Sequence, residues 1–297
     1  MRWEDREQSN NVEDRRYSNS SSGGGKRDMP SMGTIMLFWP IIRPLLKTKF
    51  GWAIIGIGAV LYFSGFNPLS SISNSGVSST HINKKINDKE ARFISTVLRD
   101  TEIVWSDIFK QHGATYRMPK MVLFRGSTTS ACGHASAQMG PFYCPADQKV
   151  YLDLGFFDEL AKKYHASGDF AEAYVLAHEV GHHVQNLQGI LNKVQRLKQH
   201  ARGQKDENQL QVKVELQADC YAGIWANHAE KKFHMLQQGD IEEALNAASS
   251  IGDDTLQKQA QGYVVPDSFT HGSSAQRVEW FKRGFTTGDI RSCNTGI

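Results

Sequence analysis

Within the stretch AEAYVLAHEVGHHVQNLQG, His178, Glu179 and His182 carry the spacing H-E-x-x-H. Side chains four apart on an α-helix share a face, so the two imidazoles can reach one metal ion together. Glu179 is rotated by about 100° from His178, close enough to hold a water on that ion. Two imidazoles and an adjacent carboxylate are what a hydrolytic zinc site needs. A structural zinc site has no use for a base beside the metal and usually takes four protein ligands, often cysteine. The alternative for these residues is a buried helix whose histidines merely satisfy hydrogen bonds, so the rest of the chain must supply the context.

A catalytic zinc keeps one coordination position for water and takes three protein ligands. The metzincin continuation places Gly three and His six residues beyond the second histidine. Gln185 and Gln188 stand there, which excludes that class. Glu215, in VELQADCYAG, is the expected third ligand. Asp219 lies one turn further along the same helical face. It is expected behind the metal, accepting a ring N–H from a ligating histidine and so fixing its tautomer. The reverse assignment makes Asp219 the ligand. His183 points about 100° away from His182 and reads as a packing residue. His271 is either a donor to a developing oxyanion or an anchor for the last helix. Arg277 reads as a structural partner of a carboxylate near the zinc.

The elements that position these groups can be read around them. Asp169 opens the helix bearing the histidines, and Asp169-Phe170-Ala171-Glu172 fits a capping box. That helix is apolar on more than one face (Tyr174, Val175, Leu176, Val180, Val184, Leu187), as a central buried helix is. Gly181 costs about 1 kcal/mol relative to Ala, which predicts close approach of another backbone near the metal. A second long helix is predicted at roughly 208–233, another from Asp240, and a last one capped by Ser273 and Gln276 and running to about Gly284. Upstream, Phe93, Val97, Val104 and Ile108 keep helical spacing, with Gly113 as a stop. Residues 121–124 and 150–154 read as strands, with a loop at Gly140-Pro141, and 156–164 as a short helix. The domain over 83–297 is therefore α+β: mainly helical, with a small β-sheet before the active-site helix. Cys132, Cys144, Cys220 and Cys293 allow three pairings. Cys132 and Cys144 are expected to clip the β-region, leaving Cys220 and Cys293 to tie the tail to the second long helix. In a reducing compartment all four would stay thiols.

The formal net charge is +3. Residues 1–28 balance six basic against six acidic residues. Setting these and Arg43, Lys47 and Lys49 aside leaves 25 of each sign for the rest of the chain. The excess thus sits beside an apolar run, and no nucleic-acid footprint is expected. Residues 1–34 are polar without apolar periodicity, which predicts a disordered tail. Residues 35–49 form a basic juxtamembrane segment, and 50–69 are uncharged and long enough for the ~20-residue helix that crosses a bilayer. The Ser-rich stretch 70–82 reads as a linker. The positive-inside rule then gives a single-pass protein with its N-terminus in the cytoplasm and the large domain outside. The expected partners are the membrane, through that one helix, and a peptide or protein substrate; the oligomeric state is not readable.

His178-Glu179-x-x-His182 followed by Glu215-x-x-x-Asp219 resembles the gluzincin arrangement of zinc peptidases. More narrowly, MRWEDR at the start, Cys132-Gly133 to GPFYCPAD, VYLDLGFF, AHEVGHHVQ, ELQADCYAG and HGSSAQRVEWFKRGF resemble the bacterial neutral zinc metallopeptidase family of the YpfJ type. This resemblance covers nearly the whole chain. It implies a zincin-like metallopeptidase domain preceded by one transmembrane helix, anchored in the bacterial inner membrane with the catalytic domain periplasmic. His271 with Arg277 is similar to the HP-x-x-x-x-R stretch in membrane-associated peptidases of the Ste24/HtpX type, with Gly272 in place of the proline.

Zn2+ is then the expected cofactor, held by His178, His182 and Glu215, with Asp219 and Arg277 behind them. Glu179 is expected to act as general base and pass the proton to the leaving amine, with His271 beside the oxyanion. A substrate strand is expected to add to a sheet edge near 131–154. Two other readings share the same metal site: a catalytically inert membrane adaptor, and a zinc amidase or esterase acting on the cell wall.

Overall fold

The sheet that backs the site is assembled from strands far apart in the chain. In the computed structural model, which describes residues 1–17 and 84–297, the order is β1 (Val12–Asp14), α1 (Lys84–Gln111), β2 (Lys120–Phe124), β3 (Ser127–Ser130), β4 (Gly133–Ser136), β5 (Phe142–Cys144) and β6 (Lys149–Asp153). Helices follow: α2 (Gly155–Lys162), α3 (Asp169–Leu187), α4 (Ile190–Lys198), α5 (Gln204–Phe233), α6 (Asp240–Ser250), α7 (Asp253–Gln261) and α8 (Ser274–Thr287). The result is α+β and mainly helical.

The main sheet runs β1-β2-β6-β5, and β3 pairs with β4 as a separate hairpin. β1, β2 and β6 are parallel, while β5 is antiparallel to β6 and forms an edge. β2 and β6 read as near-continuous apolar runs because both faces are covered. Met121, Leu123, Val150 and Leu152 enter the main core, while Val122, Phe124 and Tyr151 pack with Cys144 in a smaller cluster on the other face. The Cys132–Cys144 disulfide clips the hairpin to that cluster, and Cys220–Cys293 ties the C-terminal segment to α5.

Helix α3 is the centre of the core, with fourteen of its nineteen residues buried. It crosses α5 closely at Gly181, where a Cβ would lie 3.0 Å from the Ala218 carbonyl oxygen. The backbone approach expected from that glycine is there. A tighter contact joins α5 to α8. A Cβ at Gly284 would fall 1.9 Å from the Cys220 oxygen, and one at Gly223 2.1 Å from the Phe281 oxygen, so the two helices touch backbone to backbone. The Ser273–Gln276 capping box opens α8.

Three expectations require correction. Asp169 and Glu172 make no capping box: the N-cap of α3 is Gly168, without a side-chain cap. Glu243 of α6 accepts the Phe170 N–H at 3.0 Å instead, and a Cβ at residue 168 would strike its carboxylate. The polar start of the chain is no disordered tail over residues 1–17. Val12 pairs with Met121, Trp3 is buried edge-on against Phe93, and the Met1 ammonium lies 3.3 Å from Asp240. Arg6 reaches Asp100 and Glu7 reaches Arg99, polar links that a hydropathy pattern does not report. Residues 1–17 and 84–297 belong to one compact unit, so both lie on one side of any bilayer. A single crossing with the N-terminus on one side and the domain on the other contradicts this fold. The expected span 50–69 lies outside the described residues, and among those described no helix is long and apolar enough to cross a membrane.

Candidate metal centre

His178 and His182 stand one turn apart on α3, with ring centroids 4.8 Å apart. Glu215 reaches them from α5, its Oε2 lying 3.2 Å from His178 Nε2 and 3.4 Å from His182 Nε2. Among the described residues, these three form the one group of potential ligands whose donor atoms all lie within 4.8 Å of one another. Donors about 2.05 Å from a tetrahedral zinc stand roughly 3.3 Å apart, so the donor set and its spacing fit that ion.

The outer nitrogen of each ring is occupied. His178 donates its Nδ1–H to Asp219 Oδ1 at 2.8 Å, and His182 donates its Nδ1–H to Gln185 Oε1 at 2.9 Å. Both Nε2 atoms are thereby left facing Glu215, where a metal ion would take their lone pairs. Burial works against a charged His178 ring, but Asp219 and Glu215 outweigh it and push its pKa up to about 10 in the metal-free protein. Burial also opposes the Glu215 carboxylate, yet the two histidines hold its pKa well below the usual range. Two carboxylates facing one imidazole call for positive charge at the centre, which a divalent cation supplies.

Asp219 faces the far side of His178 from the metal position. Its Oδ1 accepts from Tyr174 O–H at 2.5 Å and from Arg277 Nη2 at 2.9 Å, and its Oδ2 accepts from Arg277 Nε at 2.9 Å. Asp219, Arg277 and Tyr174 are all buried. His183 is turned away from the metal group. It donates Nε2–H to the Arg117 carbonyl at 2.6 Å and accepts from Tyr143 O–H at Nδ1, and burial pushes its pKa down to about 4.

Glu179 and His271 border one cleft of about 760 Å³ with His178, His182 and Glu215. The Glu179 carboxylate has no hydrogen-bond partner among the described residues. His271 precedes α8 on a loop held by Asp253, which accepts from the backbone N–H of Thr270, His271 and Gly272 and from His271 Nδ1. Phe142, Phe156, Tyr164, Leu191 and Val194 line the walls. Sequence reasoning missed Asp253, Tyr174, Gln185 and Gln211. The i, i+4 register Gln211-Glu215-Asp219 was a usable signal for one of them. Asp253 left none, because only the folded loop brings it to His271.

A family model described as "Putative neutral zinc metallopeptidase" matches residues 1–296. "Uncharacterized protein YpfJ" of Escherichia coli (strain K12) is 49% identical over 298 residues, which cover 99% of this chain and 98% of that protein. An uncharacterized protein of Mycobacterium tuberculosis (strain ATCC 25618 / H37Rv) is 46% identical over 190 residues, 61% of this chain and 63% of that protein. No solved structure matches the chain. With a matching model that includes the strand β1 as well as the metal group, the chain belongs to this neutral zinc metallopeptidase family.

Proposed function

We propose that the protein is a zinc-dependent peptidase that hydrolyses peptide bonds in extended substrates. The observation that carries this reading is Glu179, a carboxylate without a partner among the described residues, bordering a three-donor metal group at the floor of a cleft. Zinc bound there would supply a Lewis acid that polarises a carbonyl and acidifies a water. Glu179 takes the proton of the attacking water and hands it to the leaving amine. His271, oriented by Asp253, presents its Nε2–H to the carbonyl oxygen as negative charge develops. β5 is an edge strand whose Phe142 and Tyr143 line the cleft, which supports docking of a substrate strand through backbone hydrogen bonds.

The two disulfides support an oxidising compartment such as the periplasm. The uncharged sequence over 50–69 supports attachment to the membrane, with residues 1–17 and the domain over 84–297 on the same side of it. The full chain should be incubated with an unfolded protein and with peptidoglycan, with and without a chelator. New peptide termini that vanish with the chelator are expected. Cleavage of peptidoglycan alone would make the protein an amidase, and no cleavage of either would make it an inert zinc adaptor.

A further inference from the structure

Every donor of the metal group has a polar partner on its outer side, and two of these partners are neutral amides. Gln185, on α3, is fully buried and accepts the His182 Nδ1–H at Oε1. Its own orientation is fixed, because its Nε2 donates to the Val214 carbonyl at 2.8 Å and to Gln217 Oε1 at 3.0 Å. Gln217 is held in turn by donating to the Cys293 carbonyl at 3.0 Å. Gln211, on α5, donates from Nε2 to Glu215 Oε1 at 2.7 Å, the oxygen that does not face the histidines. Its amide is also fixed, because its Oε1 accepts from Lys198 Nζ of α4 at 2.6 Å. Flipping either amide would set N–H against N–H or oxygen against oxygen at both ends.

We infer that Gln185 and Gln211 are positioning residues: Gln185 fixes the ring and tautomer of His182, and Gln211, oriented by Lys198, fixes which carboxylate oxygen of Glu215 meets the metal. The choice of amide has a physical reason. An amide on the outer side of His182 or Glu215 orients its partner without adding negative charge. With Asp219 already behind His178, further carboxylates would blunt the ion's pull on a carbonyl or water. Lys198 borders the cleft, so this relay links the cleft wall to the third donor through one side chain.

The inference rests on the metal-site reading above, and the test separates the two. Zinc affinity is measured on the full chain by competition with a chromophoric chelator, alongside the d–d spectrum of the cobalt-substituted protein and the melting temperature of the metal-free protein. Gln185→Leu and Gln211→Leu are each expected to weaken zinc binding by about 10–100-fold and to alter the cobalt spectrum. The metal-free melting temperature of Gln211→Leu should stay near that of the parent. Lys198→Met should weaken binding in the same sense. Because Lys198 acts through Gln211, adding Lys198→Met to Gln211→Leu should cost nothing more. Parent protein that binds no zinc defeats the metal reading itself. Parent protein that binds zinc, with variants within twofold of it or additive effects of Lys198→Met and Gln211→Leu, overturns the positioning role. If Gln185→Leu does not fold, the Gln211 and Lys198 pair decides.

Discussion

Replacing Asp219 by Asn separates two tasks of one carboxylate. The variant keeps an acceptor for His178 Nδ1–H but removes the charge that faces Arg277. The Arg277 side chain is 3% exposed and donates to both Asp219 oxygens, each at 2.9 Å. Stripping one member of such a buried pair leaves an uncompensated charge and costs about 3–5 kcal/mol. For a domain of this size, that is a fall in Tm of roughly 6–20 °C. Arg277→Met leaves Asp219 buried against Tyr174 and His178 without its cation, and the loss should be similar. The double variant carries neither charge, so its loss should fall short of the sum of the single losses by about 2 kcal/mol or more. Zinc affinity should behave differently: about 10–100-fold weaker in Asp219→Asn, and still weak in the double variant. Urea unfolding of the metal-free protein and chelator competition measure the two quantities. Strictly additive stability losses would refute the ion pair as a unit. Recovery of zinc affinity in the double variant would refute the role of the carboxylate on His178.

Other consequences are as direct. The hydrogen bond that His271 Nδ1–H donates to Asp253 raises the His271 pKa above its ordinary value, so the imidazolium persists further into the alkaline range. Asp253→Asn should return it toward ~6.5 and move the alkaline limb of the kcat/KM profile to lower pH; a limb that stays in place contradicts the arrangement. Gly284→Ala sets a methyl group against the Cys220 carbonyl and should cost about 1–3 kcal/mol or more through overpacking, read as a lowered urea midpoint; an unchanged midpoint speaks against the backbone contact of α5 and α8. Cysteines introduced at the exposed positions Glu4 and Lys258 should react with an impermeant maleimide from the same side of the membrane, whereas labelling from opposite sides would contradict the pairing of β1 with β2.

The metal group was legible because its geometry is local. Residues four apart on a helix share a face whatever the rest of the chain does, so His178 with His182 and Glu215 with Asp219 could be paired from spacing alone. Helix periodicity and the Ser273 cap located α3, α5 and α8 for the same reason. What spacing could not show depends on contacts between distant segments. The first residues read as disordered because they are polar. Yet Trp3 and Val12 are held by a core and a strand that lie far along the chain, and Arg6 is held by the buried carboxylate of Asp100 rather than through hydropathy. The cap of α3 failed similarly: Glu243, far along the chain, displaced the local pair. Gln185 was used only to exclude a metzincin, although its amide is the partner of His182.

That His178, His182 and Glu215 hold one zinc while Glu179 supplies the base is tested by zinc content and turnover measured together on Glu179→Gln. Bound zinc should stay near one per chain while peptide hydrolysis falls by at least about 100-fold. Turnover at the parent rate, or loss of the zinc together with the carboxylate, would contradict these roles.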